Sequence, residues 1–224
     1  MEIRELRGIS ELRAVEDMQK DVWGCSDREV VPAIHFIPVC AVGGILLGAF
    51  DEGTLVGFVY GFPGFEGDER IIHSDMLAVR KTHRDRGLGR TLKLAQRDRA
   101  LAAGIRKITW TFDPLQARNA NLNFAQLGVT ADRYLRDFYF QTTSPLHQMG
   151  TDRLWVTWHL DKPGGAPAPP PALRIQIPRD ITALPLEEAL RWRAKTREQF
   201  EDAFARGLVA TGFDRDRSEY ALTR

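Results

Sequence analysis

Three arginines and two glycines stand together in the segment HRDRGLGRTL, residues 83–92, directly before an apolar helical repeat. A strand that enters a helix through such a turn leaves backbone N–H groups unpaired at the helix N-terminus, where the helix dipole favours negative charge. Gly87 and Gly89 permit a close approach by a ligand, and the arginines supply charge-assisted hydrogen bonds. The segment therefore predicts a phosphate or pyrophosphate site. A solvated basic turn that caps a helix is the alternative.

The elements on either side of this segment are predicted by hydrophobic periodicity. IIHSDMLAV, residues 71–79, has the composition of a strand, and apolar residues recur at helical spacing from Leu88 to Ala102, with Gly104 as the stop. KITWTF, residues 107–112, alternates as a second strand. The order strand, loop, helix, strand favours a parallel strand pair.

The N-terminal half is predicted to supply further elements of the same sheet. Residues 3–6 form a short strand, and the helix that follows is capped by Ser10 and ended by Gly24. The runs GGILLGAF and TLVGFVYGF flank a polar turn at residues 51–53 and predict a hairpin.

After residue 112 the pattern predicts a small helix and two closing strands. The helix covers residues 121–127, and the strands cover residues 134–140 and 154–160. We expect a first domain over residues 1–161, a Pro/Gly/Ala-rich linker over 162–172 and a C-terminal extension over 173–224. The extension is predicted to contain a strand at LRIQIP, a helix from about residue 186 to 206, and a strand at LVATGF.

Composition excludes several functional classes. The 224 residues carry 31 Lys+Arg against 30 Asp+Glu, so a net charge of +1 gives no general attraction for nucleic acid or an anionic membrane. The five tryptophans are scattered, which also disfavours a nucleic-acid platform. Cys25 and Cys40 lack metal-ligand spacing and predict reduced, buried thiols. With no signal or membrane-spanning run, we expect a cytoplasmic protein.

The stretch MLAVRKTHRDRGLGRTL resembles the coenzyme A-binding segment of the GCN5-related N-acetyltransferase (GNAT) superfamily, whose signature is Arg/Gln-x-x-Gly-x-Gly/Ala. The resemblance extends from Ile3 to about Leu160 and includes NANLNFAQLGV, in which Val129 replaces the family's Phe. It implies an α/β, mixed α+β fold whose central sheet is mixed, mostly antiparallel and flanked by helices. It also implies that the sheet opens after residues 71–79 to admit acetyl-CoA.

The resemblance implies acetyl-CoA as co-substrate, with no metal. The acyl-CoA arm would lie against the backbone of Leu77, Ala78 and Val79. The pyrophosphate contacts carry over, largely through backbone N–H groups, to Arg84, Asp85, Arg86, Gly87, Leu88, Gly89 and Arg90. Asp85 departs from the family, in which Gly is frequent at that position.

The chemistry requires a base for the amine and a proton source for the leaving thiolate. His73 stands where several family members have Glu, and Asp75 would share its face on a regular strand, so the two form a candidate base pair. A purely structural role, hydrogen-bonded in the sheet, is the alternative.

The family's usual general acid is a Tyr, but Phe124 occupies the matching position and has no proton to give. Tyr134 or Tyr139 substitutes for it, or the thiolate leaves without a dedicated acid, or the protein binds acyl-CoA without transferring anything. Asn119 and its neighbours Asn121 and Asn123 either bond the pantetheine amides or serve a local turn. Phe124 would line the same arm.

We therefore expect an N-acyltransferase that moves an acetyl group from acetyl-CoA to an amine of a small molecule or peptide, by direct attack on the thioester. The alternatives are a non-catalytic acyl-CoA-binding module and a dimerising scaffold. In the predicted C-terminal helix, Arg191, Arg193 and Arg197 form a basic side that is either solvated, bound to a carboxylated acceptor, or placed across a homodimer.

Overall fold

The computed structural model describes residues 1–140, 148–161 and 170–224. The predicted linker at 162–172 thus lies outside the described residues except for its last three. The helices are α1 Gly8–Trp23, α2 Ala33–Ala41, α3 Leu88–Ala102, α4 Ala117–Ala120 and α5 Leu186–Ala205; a π-helical turn, Asn121–Gln126, continues α4. The strands are β1 Glu2–Glu5, β2 Ile45–Asp51, β3 Thr54–Glu66, β4 Glu69–Val79, β5 Lys107–Phe112, β6 Thr130–Leu135, β7 Arg153–His159, β8 Leu173–Gln176, β9 Val209–Asp214 and β10 Glu219–Thr223.

The described chain forms two compact units, and the first comprises Met1–Thr109. Its strands follow the order β1-β2-β3-β4, with the beginning of β5 beside β4. The first three neighbouring pairs are antiparallel, and β4 pairs with β5 in parallel. The predicted hairpin, the parallel strand pair and the mixed α+β fold class are therefore confirmed.

One face of this sheet packs against α1 and α2. Leu12, Val15 and Met18 of α1 and Phe36 of α2 are buried against a cluster of side chains from β2, β3 and β4. These α1 positions recur at helical spacing, so burial of one apolar face accounts for the placement of the helix. Gly24 ends α1 in the left-handed conformation (φ +68°), as predicted.

The other face of the sheet packs closely against α3. A Cβ added at Gly57 would lie 3.2 Å from Leu92 Cδ1, and one added at Gly61 would lie 2.9 Å from Gln96 Nε2. The same added atoms would also lie close to Ala78 and Ile72 of β4, so a side chain at either position would crowd both the neighbouring strand and the α3 side chains. The two glycines therefore allow α3 side chains to lie close to the strand.

The second unit contains the described residues from Trp110 onward. Beginning with the end of β5, its strands follow the order β5-β7-β6-β9-β10-β8. Helix α5 lies over this sheet, with Phe200 fully buried and in contact with Tyr134 and Tyr220. Residues 173–224 therefore share a core with β6, although the predicted domain boundary at residue 161 is not tested by this packing.

Several sequence-based boundaries were wrong. Ser10 does not cap α1, because the helix begins at Gly8 and the Glu11 carboxylate accepts the hydrogen bond from the Arg7 backbone N–H. The strand predicted at 134–140 begins at Thr130 and ends at Leu135. Asp137 and Phe140 follow in left-handed conformations (φ +45° and +58°) that end the ladder.

Two elements were not predicted, and the two cysteines are less buried than predicted. Helix α2 was not predicted, since its sequence AIHFIPVCA is apolar on every side and contains Pro38. Strand β10 was not predicted either. The cysteines are free, but Cys40 is exposed and Cys25 half-buried, which corrects the expectation of buried thiols. None of the helices in the described ranges has the length and apolar character needed to cross a membrane.

We predict that Arg193→Met lowers the free energy of unfolding by about 3 kcal/mol. The Arg193 guanidinium makes two hydrogen bonds to the Asp113 carboxylate, at 2.7 and 2.8 Å, and its side chain is only 5 % exposed. Removing it leaves a largely buried carboxylate without its cation. The measurement is chemical denaturation.

Arg191→Met on the same helix is the matched control. Arg191 is 66 % exposed and pairs with Glu187, so its loss should change the free energy by less than about 0.5 kcal/mol. Equal effects of the two substitutions would contradict the assignment of Arg193 to a buried ion pair.

Candidate active site in the first unit

The turn that joins β4 to α3 has the backbone conformation of an anion-binding loop. After Val79 the chain makes a short 3-10 turn at Lys81–His83, and Asp85 and Gly87 then adopt left-handed conformations (φ +63° and +77°). Helix α3 begins at Leu88. The N–H groups of its first turn have no acceptor within the helix, and an added Cβ at Gly87 would meet no atom within 4 Å. The helix N-terminus is thus open to a ligand.

The arginines of this loop have different surroundings. Arg84 is half-buried, and its Nε donates to the Val79 carbonyl at 3.0 Å, which fixes the loop to the end of β4. Arg86 and Arg90 are exposed. Two of the three arginines that were predicted to bind phosphate are therefore exposed beside the open helix N-terminus.

The backbone of β4 extends beyond its pairing with β5. The parallel pairing joins Ile72 to Ile108 and His73 to Thr109, and β4 then continues to Val79. On its other side, Leu77, Ala78 and Val79 still pair with β3. The segment predicted to bind acyl-CoA thus lies beyond the part of β4 that pairs with β5, and it leads directly into the open loop.

A β-bulge interrupts β4 between the part that pairs with β5 and residues 77–79. Tyr60 of β3 pairs with Met76, and Phe62 pairs with His73, so one residue of β3 opposes both Ser74 and Asp75. Bulges redirect side chains locally. The sequence prediction that His73 and Asp75 share a face assumed a regular strand, and this assumption was wrong.

His73 lies at the paired end of β4. Its Nδ1 is 3.0 Å from Thr109 Oγ1, and its ring lies 5.4 Å from that of Phe62. Burial lowers the pKa of His73 to about 4, with a further decrease from the charge of Lys93. The imidazole is therefore neutral near pH 7 and is a weak base.

Asp75 lies in the bulge with an exposed side chain. Although its tip reaches solvent, the surrounding protein removes enough water to raise the pKa of Asp75 above its usual range, and His35 of α2 partly offsets this. A carboxylate with a raised pKa is a stronger proton acceptor than a fully hydrated one. Asp75 therefore stays a candidate proton acceptor, whereas burial makes His73 a weaker base than an ordinary imidazole.

A buried lysine, missed by the sequence analysis, supports the bulge from the α3 side. Lys93 Nζ donates to Ser74 Oγ at 2.7 Å, and Ser74 Oγ donates to Gln96 Oε1 at 2.7 Å. Lys93 is 3 % exposed, and burial lowers its pKa to about 7. The only sequence signal was a polar residue at a core-facing position of α3.

The predicted tyrosines belong to the second unit. The Tyr134 hydroxyl donates to Asp152 Oδ2 at 2.7 Å, and burial together with this bond raises the pKa of Tyr134 far above its usual value. Such a phenol releases its proton poorly. Tyr139 is 40 % exposed, and its hydroxyl lies 3.3 Å from Thr111 Oγ1. Tyr134 is therefore poorly suited to donate a proton, and a catalytic role of Tyr139 stays a prediction.

Two further predicted residues of the second unit have contrasting exposure. Phe124 is 3 % exposed, and its ring packs against Phe112 and Tyr220 at 6.2 and 5.5 Å. Asn119 of α4 is exposed. Packing accounts for Phe124 in this structure, and a contact of either residue with coenzyme A stays a prediction.

Most arginines on the basic side of α5 form ion pairs with carboxylates of the same unit. Arg197 makes two hydrogen bonds to the fully buried Asp152, at 2.8 and 2.7 Å, and Arg193 is paired with Asp113. The hypothesis that these arginines bind a carboxylated acceptor was therefore wrong for Arg193 and Arg197. Within the described residues, no group of three or more His, Cys, Asp or Glu side chains could hold a metal ion.

Comparison with known proteins supplies independent evidence. The model of the acetyltransferase (GNAT) family matches residues 13–128, slightly more than half of the 224 residues. No curated protein gives a significant sequence match.

Solved structures show the same fold at low sequence identity. The ribosomal-protein-alanine N-acetyltransferase of Brucella melitensis is 20 % identical, with a TM-score of 0.58 over 71 % of this chain and 99 % of that one. The protein yncA of Salmonella typhimurium, solved with its cofactor acetyl-CoA, is 18 % identical, with a TM-score of 0.58 over 75 % and 98 %. An aminoglycoside 6′-N-acetyltransferase complexed with coenzyme A is 15 % identical, with a TM-score of 0.55 over 74 % and 100 %.

We predict that Lys93→Met removes a pH dependence of stability above neutrality. The folded protein releases the Lys93 proton near pH 7, whereas an unfolded chain holds it to about 10.5. Raising the pH through this window therefore stabilises the folded state, by about 2 kcal/mol between pH 7 and 9. Lys93→Met should lack this rise and be more stable than the unsubstituted protein at pH 6.

The measurement is the free energy of unfolding at pH 6, 7, 8 and 9. Lys20→Met, which removes a half-exposed lysine of α1, should keep the rise. Parallel curves for Lys93→Met and the unsubstituted protein would show that Lys93 remains charged in the fold.

Proposed function

Since the chain belongs to the GNAT acetyltransferase family, we propose that it transfers an acetyl group from acetyl-CoA to the amine of a small molecule or peptide. The observation that carries this proposal is the continuous path from the end of β4, which extends beyond its pairing with β5, to the open N-terminus of α3. A thioester arm and its pyrophosphate require these two neighbouring features. The structures of yncA with acetyl-CoA and of the aminoglycoside enzyme with coenzyme A support the same ligand class.

The loop residues fit the phosphates of such a ligand. Gly87 leaves open space in front of the first-turn N–H groups, and Arg86 and Arg90 are exposed beside them. Backbone N–H donors and guanidinium groups are the usual partners of a pyrophosphate. Residues 77–79 would hold the arm through backbone groups. Asn119 and Phe124 stay part of the proposed acyl-CoA contacts.

Acetyl-CoA supplies the activated acetyl group, and the chain must bring a neutral amine to it. We assign Asp75 as the group that accepts the proton of the incoming ammonium, because burial raises the pKa of this carboxyl and so favours proton uptake. His73 is neutral near pH 7 and holds its ring against Thr109, so it orients water or the amine by hydrogen bonding. Tyr139 is the proposed proton source for the thiolate.

A non-catalytic acyl-CoA-binding protein is the second candidate function. It is favoured by Phe124, which is buried where the family has a tyrosine, and by the hydrogen bond that engages the Tyr134 proton. This candidate predicts saturable acetyl-CoA binding without turnover on any amine. A homodimer through the C-terminal arm, absence of nucleic-acid binding and a cytoplasmic location stay predictions.

We predict that the double substitution Gly87→Val and Gly89→Val weakens acetyl-CoA binding at least 100-fold. Valine strongly disfavours the left-handed conformation of Gly87, and its side chain fills the space in front of the N–H groups. Calorimetric titration with acetyl-CoA, and with desulfo-CoA as the thiol-free comparison, measures the change.

The control is Gly67→Val, at the exposed turn between β3 and β4. Gly67 has a similar φ of +61° and an equally open Cβ position, so it carries the same backbone strain away from the loop. Its acetyl-CoA affinity should stay unchanged. Undiminished binding in the double variant would overturn the placement of the phosphate site.

A further inference from the structure

One buried hydroxyl of the first unit has no hydrogen-bond partner within the described residues. Tyr60 of β3 is 1 % exposed, and its Oη is unpaired among them. An unsatisfied buried hydroxyl destabilises the folded protein. A phenylalanine would pack equally well without this cost, so the hydroxyl calls for an explanation in terms of a ligand.

The Tyr60 hydroxyl lies where β3, β4 and α2 come together. Burial raises the pKa of Tyr60 to about 12, and the nearby charges of Asp75 and Cys40 act in the same direction. Asp75 is in turn influenced by His35 of α2. Tyr60 pairs with Met76 across the two strands, and Asp75 directly precedes Met76, so the carboxylate and the unpaired hydroxyl belong to adjoining positions of this junction. Asp75 is accessible from solvent.

Aromatic rings line the same junction. The Tyr60 ring lies 4.9 Å from Phe36 and 6.3 Å from Phe62, and Phe62 lies 5.4 Å from His73. Phe62 is 37 % exposed, so part of this aromatic surface is open to a ligand. Ring faces attract organic cations and bury apolar groups.

We propose that the Tyr60 hydroxyl and the Asp75 carboxylate bind the ammonium group of the acceptor, and that this acceptor is a primary monoamine carried on an apolar body. The ammonium donates one hydrogen bond to Asp75 and one to Tyr60 Oη, which satisfies the buried hydroxyl. The apolar body packs on Phe62. This inference rests on the proposed acetyl transfer, for which it names the acceptor class.

The aromatic lining distinguishes this class from other amines. An aminoglycoside or a polyamine carries several cations and needs a carboxylate or hydroxyl for each, because a charge placed against apolar rings without a partner pays a desolvation cost. A single carboxylate beside an aromatic surface suits one cation with an apolar substituent. Two polar groups at one end and rings beyond them also fix the direction in which the amine points.

The test is a direct titration of the 224-residue protein with 2-phenylethylamine, both alone and saturated with desulfo-CoA. Tyr60→Phe should raise the Kd for this amine about 10-fold, as expected for loss of a hydrogen bond to a charged group, and leave the Tm equal or higher. Asp75→Asn should raise the Kd by at least the same factor. An unchanged Kd in Tyr60→Phe would overturn the proposal.

Tyr220→Phe is the matched control, because the Tyr220 hydroxyl is buried but bonded to the Pro114 carbonyl at 2.6 Å. This substitution should lower the Tm and leave the amine Kd unchanged. The two Tyr→Phe variants thus separate a ligand-binding hydroxyl from a structural one. An equal rise of the Kd in both variants would assign the effect to general destabilisation and contradict the proposal.

The acceptor class is tested with three further probes. The neutral 2-phenylethanol should not compete with 2-phenylethylamine, and ethanolamine and kanamycin should both bind at least 10-fold more weakly. Tighter binding of kanamycin, or no binding of 2-phenylethylamine, would overturn the assigned class. Acetyl-CoA titration reports separately on the proposed function: amine binding lost with acetyl-CoA binding intact refutes the subsite alone, and the reverse refutes the acetyl-transfer proposal.

Discussion

The close approach of α3 to the sheet is the constraint on which the first unit depends. Gly57 and Gly61 place no side chain between β3 and the helix at these two positions, so the Leu92 and Gln96 side chains lie close to the strand. This contact places the N-terminus of α3 at the end of β4, where the left-handed residues Asp85 and Gly87 complete the turn. A larger side chain at either glycine would crowd the side chains of the helix whose N–H groups form the proposed phosphate site.

Local periodicity predicted the elements that carry the phosphate loop. β4, α3 and β5 each bury one clearly patterned face, and their order alone favoured the parallel pair that the structure shows. Helix α2 was missed because its sequence is apolar on all sides and contains Pro38, so periodicity gives no signal. The bulge at Ser74 and Asp75 was not predicted either, since it depends on how β3 and β4 pair across the sheet.

The same distinction applies to the site residues. Glycines with a required backbone conformation can be found in a sequence, and Gly87 is such a case. Partners that meet through tertiary packing cannot: nothing in the sequence pairs Arg193 with Asp113, or Lys93 with Ser74. The arginines of α5 looked like a basic surface in sequence, but two of them neutralise buried carboxylates. Charge counted along a helix therefore overstated the charge that the folded protein presents to a ligand.

The extra residue in β4 has a consequence for how the length of this chain can vary. Ile72 lies on the α3 side, next to the space above Gly61, whereas Met76 lies in the core with α1 and α2. In an uninterrupted strand two residues four apart share one face, so the bulge is what sends them to opposite faces. Deletion of one residue between them would leave them three positions apart, and an uninterrupted strand also places such residues on opposite faces. The strand can therefore lose the bulge and keep each later side chain on its present face, so homologues should differ in length by one residue here as well as at the hairpin turn at residues 67–68.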